Sequence, residues 1–285
     1  MALITNLIRK TLPDKTKKRV LKYLPSWVYD KYQRSMILNS WNLYEYYHPE
    51  DDSLYLGKTV LPLDVFCNPQ TVGAFNSSYA DIIEPLLPNK SKTREISFNE
   101  GPYVFENVRI ESGDVVFDCG ANLGLFSAMC ASLDCVCYAF EPLPANIKFL
   151  KKIQQVNPHI TIVPFALSNE DSSLEFEKSD VPTPVNRISR GDSNEVLTVN
   201  AISIDSFIEK RKISRVDFIK ADIEGAERLL LMGAKATLKK FAPKISICTY
   251  HLPDDPQVLR KLILDANSDY VVKEKYKKMY AYVPK

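Results

Sequence analysis

The sequence predicts an α/β fold built on a mostly parallel sheet, and three observations carry that expectation. From residue 114 onward, short apolar runs alternate with segments of helical periodicity, the pattern of strands covered by helices on both faces. The first run is followed directly by a glycine turn and a helix. The chain closes with two β-rich pieces, Tyr270–Val272 and Met279–Val283, whose short connection suits an antiparallel pair.

The elements follow in order. Val115, Val116 and Phe117 form an apolar run opened by Gly113 and closed by Asp118, which reads as a strand buried on both faces. Gly120 and Gly124 bracket a tight turn, and small and apolar residues at helical spacing predict a helix over 123–133. Strands are expected at 135–140, 160–165, 216–221 and 244–250. Helices are expected at 144–156, 203–210, 225–240 and 255–267. Two further β-rich pieces, Leu174–Glu177 and Val196–Val199, flank an irregular loop from Val181 to Asn194 that carries Arg187 and Arg190. Long loops near strand ends often serve substrates, so both arginines are candidate substrate contacts; a plain surface insertion is the alternative. A short strand near Tyr103–Val108 leads into this unit.

Residues 1–95 read as a separate N-terminal helical extension, and residues 96–285 as the main domain. Residues 1–24 hold seven basic side chains against the single Asp14, with apolar residues that suit two short amphipathic helices broken at Pro13. Such a segment suits either a solvated lid or a peripheral contact with an anionic membrane. Residues 25–55 are rich in tyrosine and tryptophan, which serve as packing residues of a helical subdomain or as a platform for sugars.

The 285 residues are 45% hydrophobic and 25% charged, enough for a sizeable core in a soluble chain. A formal net charge of +2 argues against a dedicated nucleic-acid binder. No apolar run reaches the length of a membrane span, and the apolar residues at the start precede the basic cluster, unlike a secretory signal. Four of the six cysteines (Cys119, Cys130, Cys135, Cys137) lie on or between the first two strands. Their spacing fits no zinc pattern, so they read as small buried residues in a reducing, cytoplasmic compartment.

The glycine turn points to a nucleotide-type ligand, because it lets backbone N–H groups and a helix N-terminus approach closely. Glu141 closes the second strand 17 residues after Gly124, where a carboxylate reaches ribose hydroxyls. The dinucleotide fingerprint wants glycine where this chain has Asp118. An acid there is unfavourable beside a pyrophosphate and favourable beside a cationic ligand such as S-adenosylmethionine, which carries a sulfonium and an ammonium group.

D-C-G-A-N-L-G at 118–124, A-F-E-P at 139–142, A-L-S-N at 166–169, K-A-D-I-E-G-A-E at 220–227 and T-Y-H at 249–251 together resemble the motif series of the FkbM family of S-adenosylmethionine-dependent methyltransferases. The resemblance spans residues 96–283. It implies a Rossmann-like class I methyltransferase sheet whose last strand is antiparallel, and O-methylation of a hydroxyl on a sugar, glycan or secondary metabolite. It also implies that Asp118, Gly120, Asn122 and Gly124 hold the methionine end and ribose, that Glu141 binds the ribose, and that Pro142, Ala166 and Leu167 border the adenine.

Asp222, Glu224 and His251 each follow a predicted strand at its carboxyl end, where ligands of open α/β sheets bind. Histidine titrates near neutrality, so His251 is the candidate general base, with Asp222 orienting it or the acceptor and Glu224 as a substrate contact. For Glu224 and Glu227 a helix-start carboxylate without chemistry is a strong alternative, weaker for Asp222. A divalent metal on Asp222, Glu224 and His251 is the less favoured alternative. From other classes, a non-catalytic cofactor-binding adaptor and a nicotinamide-dependent sugar enzyme stay open.

Overall fold

The computed structural model describes residues 26–67, 71, 75, 78, 81, 82, 100–177 and 196–284. Residues 1–24 and the Val181–Asn194 loop, with Arg187 and Arg190, therefore lie outside the described residues.

A seven-stranded sheet organises the chain. Its strands are β4 (Val115–Cys119), β5 (Val136–Phe140), β6 (Ile160–Val163), β10 (Phe218–Ala221), β11 (Lys244–Cys248), β12 (Val271–Lys275) and β13 (Lys278–Tyr282). They lie in the order β12-β13-β11-β10-β4-β5-β6. Neighbours from β11 to β6 are parallel, and β13 pairs antiparallel with both β11 and β12. The expected architecture, last strand included, is what the structure shows. The strand order reverses between β4 and β10, which opens the crevice where such sheets bind ligands.

The covering helices are α2 (Leu125–Ser132), α3 (Pro144–Val156), α4 (Ile204–Arg211), α5 (Glu227–Met232), α6 (Lys235–Lys240) and α7 (Asp255–Ala266). Strand side chains alternate between two cores. Val116, Cys137, Ala139 and Phe218 pack with α2 and α3 on one face. Phe117, Phe140, Ile219, Ile245 and Ile247 pack with α4 to α7 on the other. All six cysteines are free and buried, as expected of small core residues.

Four details differ from expectation. The helix expected at 225–240 is two helices, because the chain at Gly233 runs against its neighbours: a Cβ there would lie 2.3 Å from the Ser168 carbonyl oxygen. Asp205 then caps α6, accepting from Ala236 N and Thr237 N at 2.9 Å each. The strand expected at 160–165 ends at Val163; Ala166–Leu167 (β7) joins β8 (Ser172–Glu177) and β9 (Val196–Ile202) in a second sheet, ordered β7-β9-β8. Tyr103–Val108 forms a single bridge, Phe105 to Val108, rather than a strand.

The N-terminal segment has the expected helix, α1 (Ser26–Ser40), but it is not wholly helical. Tyr47–His48 (β1), Ser53–Leu56 (β2) and Thr59–Pro62 (β3) make an antiparallel meander. Leu54 and Leu61 are fully buried in the same core as α2 and α3, and the Asn157 amide donates to the Val60 carbonyl at 3.1 Å.

Candidate active site

The turn after β4 is shaped by contact with the loop after β10. Gly120 has φ +82°, and a Cβ on it would stand 1.9 Å from the Asp222 carbonyl oxygen, so no other residue fits. Asp222 N donates to the Cys119 carbonyl at 3.1 Å, fastening the two loops together. Gly124, at φ +90°, serves packing instead: a Cβ there would lie 2.4 Å from Leu150 Cδ1 of α3.

Asp118 does not reach the ligand crevice. It pairs in register with Lys220 on the adjacent strand, which brings the two side chains together. Its carboxylate, fully buried, lies 3.0 Å from Lys220 Nζ and accepts from Ser127 Oγ at 2.6 Å. Expected as a cofactor contact, Asp118 is corrected to a buried anchor behind the turn. The charge argument drawn from it against a pyrophosphate falls with it, since Lys220 neutralises it. Lys220 also donates to the Gly120 carbonyl at 2.7 Å, so this ion pair stiffens the turn.

A cleft open to solvent runs across the switch point. Gly120, Asn122, Glu141, Pro142, Ala166, Leu167, Asp222 and Glu224 all line it. At one end, Glu141 is 4% exposed and accepts from Asn122 N at 2.9 Å and Leu143 N at 3.0 Å. Burial pushes its carboxyl up to about 7, against the pull of those N–H donors and the Asn146 side chain. Asn122 Oδ1 and Asn146 Oδ1 are buried there without hydrogen-bond partners. Phe140, Phe165, Leu174 and Phe176 supply apolar wall.

The other end is acidic. Glu224 and Gly225 both take positive φ, +56° and +102°, and the α5 residue Glu227 clips this bend by accepting from Ile223 N at 2.9 Å and Gly225 N at 3.0 Å. Glu227 Oε1 also lies 2.9 Å from His251 Nδ1, while His251 Nε2 stands 3.5 Å from Glu224 Oε2 and 3.7 Å from Asp222 Oδ1. The loop after His251 is fixed to α5 through Asp255, which accepts from Leu252 N at 2.8 Å and from Arg228 Nε at 2.7 Å. Tyr103 Oη donates to Asp222 Oδ2 at 2.6 Å. The Tyr103 ring faces two ammonium groups, Lys278 Nζ at 4.3 Å and Lys220 Nζ at 5.3 Å from its centre.

Burial opposes ionisation of Asp222, yet Lys220, the Tyr103 hydroxyl, His251 and Lys278 outweigh it and hold the carboxyl below its usual range. Burial likewise opposes charge on His251, but Glu227, Asp222 and Glu224 raise it to about 9. The surrounding carboxylates thus favour the imidazolium form at neutral pH, which weighs against the expected role of general base, since a protonated ring has no lone pair to accept with. Lys220 stays charged, with Asp118 and Asp222 overcoming its burial.

Three contributors went unassigned in the sequence. Tyr103 lies 119 residues before Asp222, and no local pattern marks it. Lys220 and Glu227 sit at the two ends of K-A-D-I-E-G-A-E, where the helix-start reading hid Glu227 and nothing local shows that Lys220 pairs with Asp118 on the adjacent strand.

Comparison with known proteins bears on the same residues. Residues 118–272, more than half of the chain, match the Methyltransferase FkbM domain. The chain belongs to the FkbM methyltransferase family. Within the family it is 28% identical to the hexuronic acid methyltransferase AglP of Haloferax volcanii, over 55% of this chain and 64% of that one. It is 22% identical to the 31-O-demethyl-FK506 methyltransferase FkbM of Streptomyces tacrolimicus, over 55% of this chain and 77% of that one. The chain thus spans less than two thirds of the first of these relatives. A crystal structure of methyltransferase FkbM from Methylobacillus flagellatus superposes on it with a TM-score of 0.50 and 20% identity, covering 64% of this chain and 48% of that one, a likeness of fold.

S-adenosylmethionine, the cofactor this FkbM family implies, suits the cleft on its own chemistry. Glu141 and the unpartnered Asn122 and Asn146 oxygens are positioned for hydroxyl and amine donors. The aromatic and aliphatic wall suits a purine.

Proposed function

We propose that this protein transfers a methyl group from S-adenosylmethionine to a hydroxyl oxygen of a sugar, glycan or secondary metabolite, through the unit at residues 96–285, with residues 1–95 as an extension. The observation that carries the reading is the single cleft joining Glu141 at one end to Asp222 and Glu224 at the other. The names of the two curated relatives, one acting on a hexuronic acid and one on a demethylated oxygen, support a hydroxyl acceptor.

The bound cofactor supplies an electrophilic methyl on its sulfonium. Glu141 and the asparagine oxygens hold its hydroxyls, and Pro142, Ala166 and Leu167 bound the base. Asp222 accepts a hydrogen bond from the acceptor hydroxyl, orients it, and would take its proton as that oxygen is methylated, although most of the assistance in methyl transfer is positioning. Its second oxygen is already fixed by Tyr103, which leaves the first directed to the cleft end. His251 and Glu224 complete this end as positioning groups. Arg187 and Arg190 remain candidates for an acidic acceptor.

The test is calorimetric titration of the full chain with S-adenosylmethionine, followed by detection of S-adenosylhomocysteine against a panel of uronic acids, glycans and lipid-linked sugars. Binding with turnover on at least one hydroxyl acceptor is expected. Absence of binding overturns the reading; binding with no turnover on any acceptor is what an adaptor would give. No described helix is long and apolar enough to cross a membrane.

A further inference from the structure

The acidic end of the cleft holds more negative charge than its own cations account for. Asp222, Glu224 and Glu227 converge on one imidazole, and ligand atoms of Asp222, Glu224 and His251 lie within 4.8 Å of one another. The His251 side chain is only 7% exposed, yet Nε2 has no hydrogen-bond partner; it is aimed between two carboxylate oxygens at distances too long for a hydrogen bond. A buried nitrogen that faces two carboxylates across a gap, without a hydrogen bond to either, leaves room for a cation between them.

We propose that Asp222, Glu224 and His251 form a divalent-cation site at the acceptor end of the cleft. This deepens the reading above and rests on it for the identity of that end. Two carboxylate oxygens and one imidazole nitrogen suit a hard-to-borderline ion of the Mg²⁺ and Mn²⁺ class, with the remaining positions left for water and the acceptor hydroxyl. Glu227 plays the supporting part: it sits at Nδ1, fixing the ring so that Nε2 points inward, as carboxylates do behind metal-binding histidines. Binding exchanges the Nε2 proton for the cation. Asp222 and Glu224 line the cleft, so the ion would be reachable by an acceptor. A second grouping, Glu100, Asp222 and Cys248, is the poorer candidate: Cys248 is fully buried on β11, and Glu100 accepts from the Tyr250 hydroxyl at 2.9 Å.

The experiment is a titration of the full chain with Mn²⁺ alone, reading the six-line resonance of the free ion. The expected result is loss of the free signal up to one equivalent, reversed by excess Mg²⁺, and affinity reduced more than ~10-fold in Glu224→Gln and in His251→Asn. Glu224→Gln keeps the side chain's shape on a partly exposed residue, and unchanged melting shows that it folds. A free signal that tracks added Mn²⁺ throughout, or wild-type affinity in Glu224→Gln, overturns the site and leaves His251 as an ion-pairing residue. Cofactor titration runs in parallel: Mn²⁺ binding without cofactor binding upholds the site and sinks the methyltransferase reading, and cofactor binding without Mn²⁺ binding does the reverse.

Discussion

At one end of the cleft, the Glu141 carboxylate is held by two backbone N–H groups and its charge is resisted by burial. At the other, Asp222 is half-buried and embedded among Lys220, Lys278, Tyr103 and His251, which favour its charge. The same residue chemistry is thus set to opposite tendencies by its neighbours. Burial favours the neutral form at the Glu141 end, which is shaped for hydroxyls; the neighbours of Asp222 favour its ionised form, suited to orient a reacting group or a cation.

Substitutions that act on one end and spare the other probe this division. The largest effect belongs to the point where the ends meet. Gly120→Ala places a carbon on the Asp222 carbonyl and should cost about 3 kcal/mol or more, seen as a lowered melting temperature together with loss of cofactor binding. Normal binding in that variant would mean the two loops are not rigidly joined. Asp222→Asn should reduce turnover by ~10²- to 10⁴-fold while cofactor affinity stays within about twofold, measured by steady-state kinetics and calorimetry. An equal loss in both would erase the distinction between the ends. Glu141→Gln should do the converse, weakening cofactor binding by ~10- to 100-fold, in line with loss of a charge-assisted hydrogen bond, with little change in acceptor KM.

Acidity offers a subtler probe. Glu141 titrates at about 7 in the fold against 4.5 unfolded, so ionisation is disfavoured by folding. The neutral form is fully favourable below 4.5, and stability from this group is lost as pH rises from there through about 7. Cofactor binding, which uses the carboxylate as an acceptor, should run the other way, tightening between about pH 6 and pH 8; Glu141→Gln should flatten that slope. The smallest effect is expected from Cys119→Val, fully buried on β4: under about 1.5 kcal/mol in stability and no change at either end.

The main sheet was legible because its strands are buried on both faces and read as unbroken apolar runs, as in Val115–Phe117 and Ile245–Ile247. The meander at 47–62 was not, since its strands are two to four residues long and lie among turn residues and aromatics. The break at Gly233 was hidden in a helical pattern because what demands glycine there is the close approach of the Ser168 backbone, distant in sequence. In the site, spacing identified the cleft-lining residues, but orientation and charge state escaped it. Asp118 points inward because strand register pairs it with Lys220, and His251 is charged because Glu227 arrives from the next helix. Both facts depend on neighbours that a one-dimensional pattern does not rank.

The missing side chain at Gly120 makes the distance between the two ends a constant of the molecule. Since backbone occupies the place of a Cβ, the seat of the donor and the seat of the acceptor can be neither pried apart nor pressed together by ordinary substitution. The fit of an acceptor is then set by the outline of the surrounding walls, Leu174, Phe176 and Tyr103 among them, around a fixed junction of the two loops.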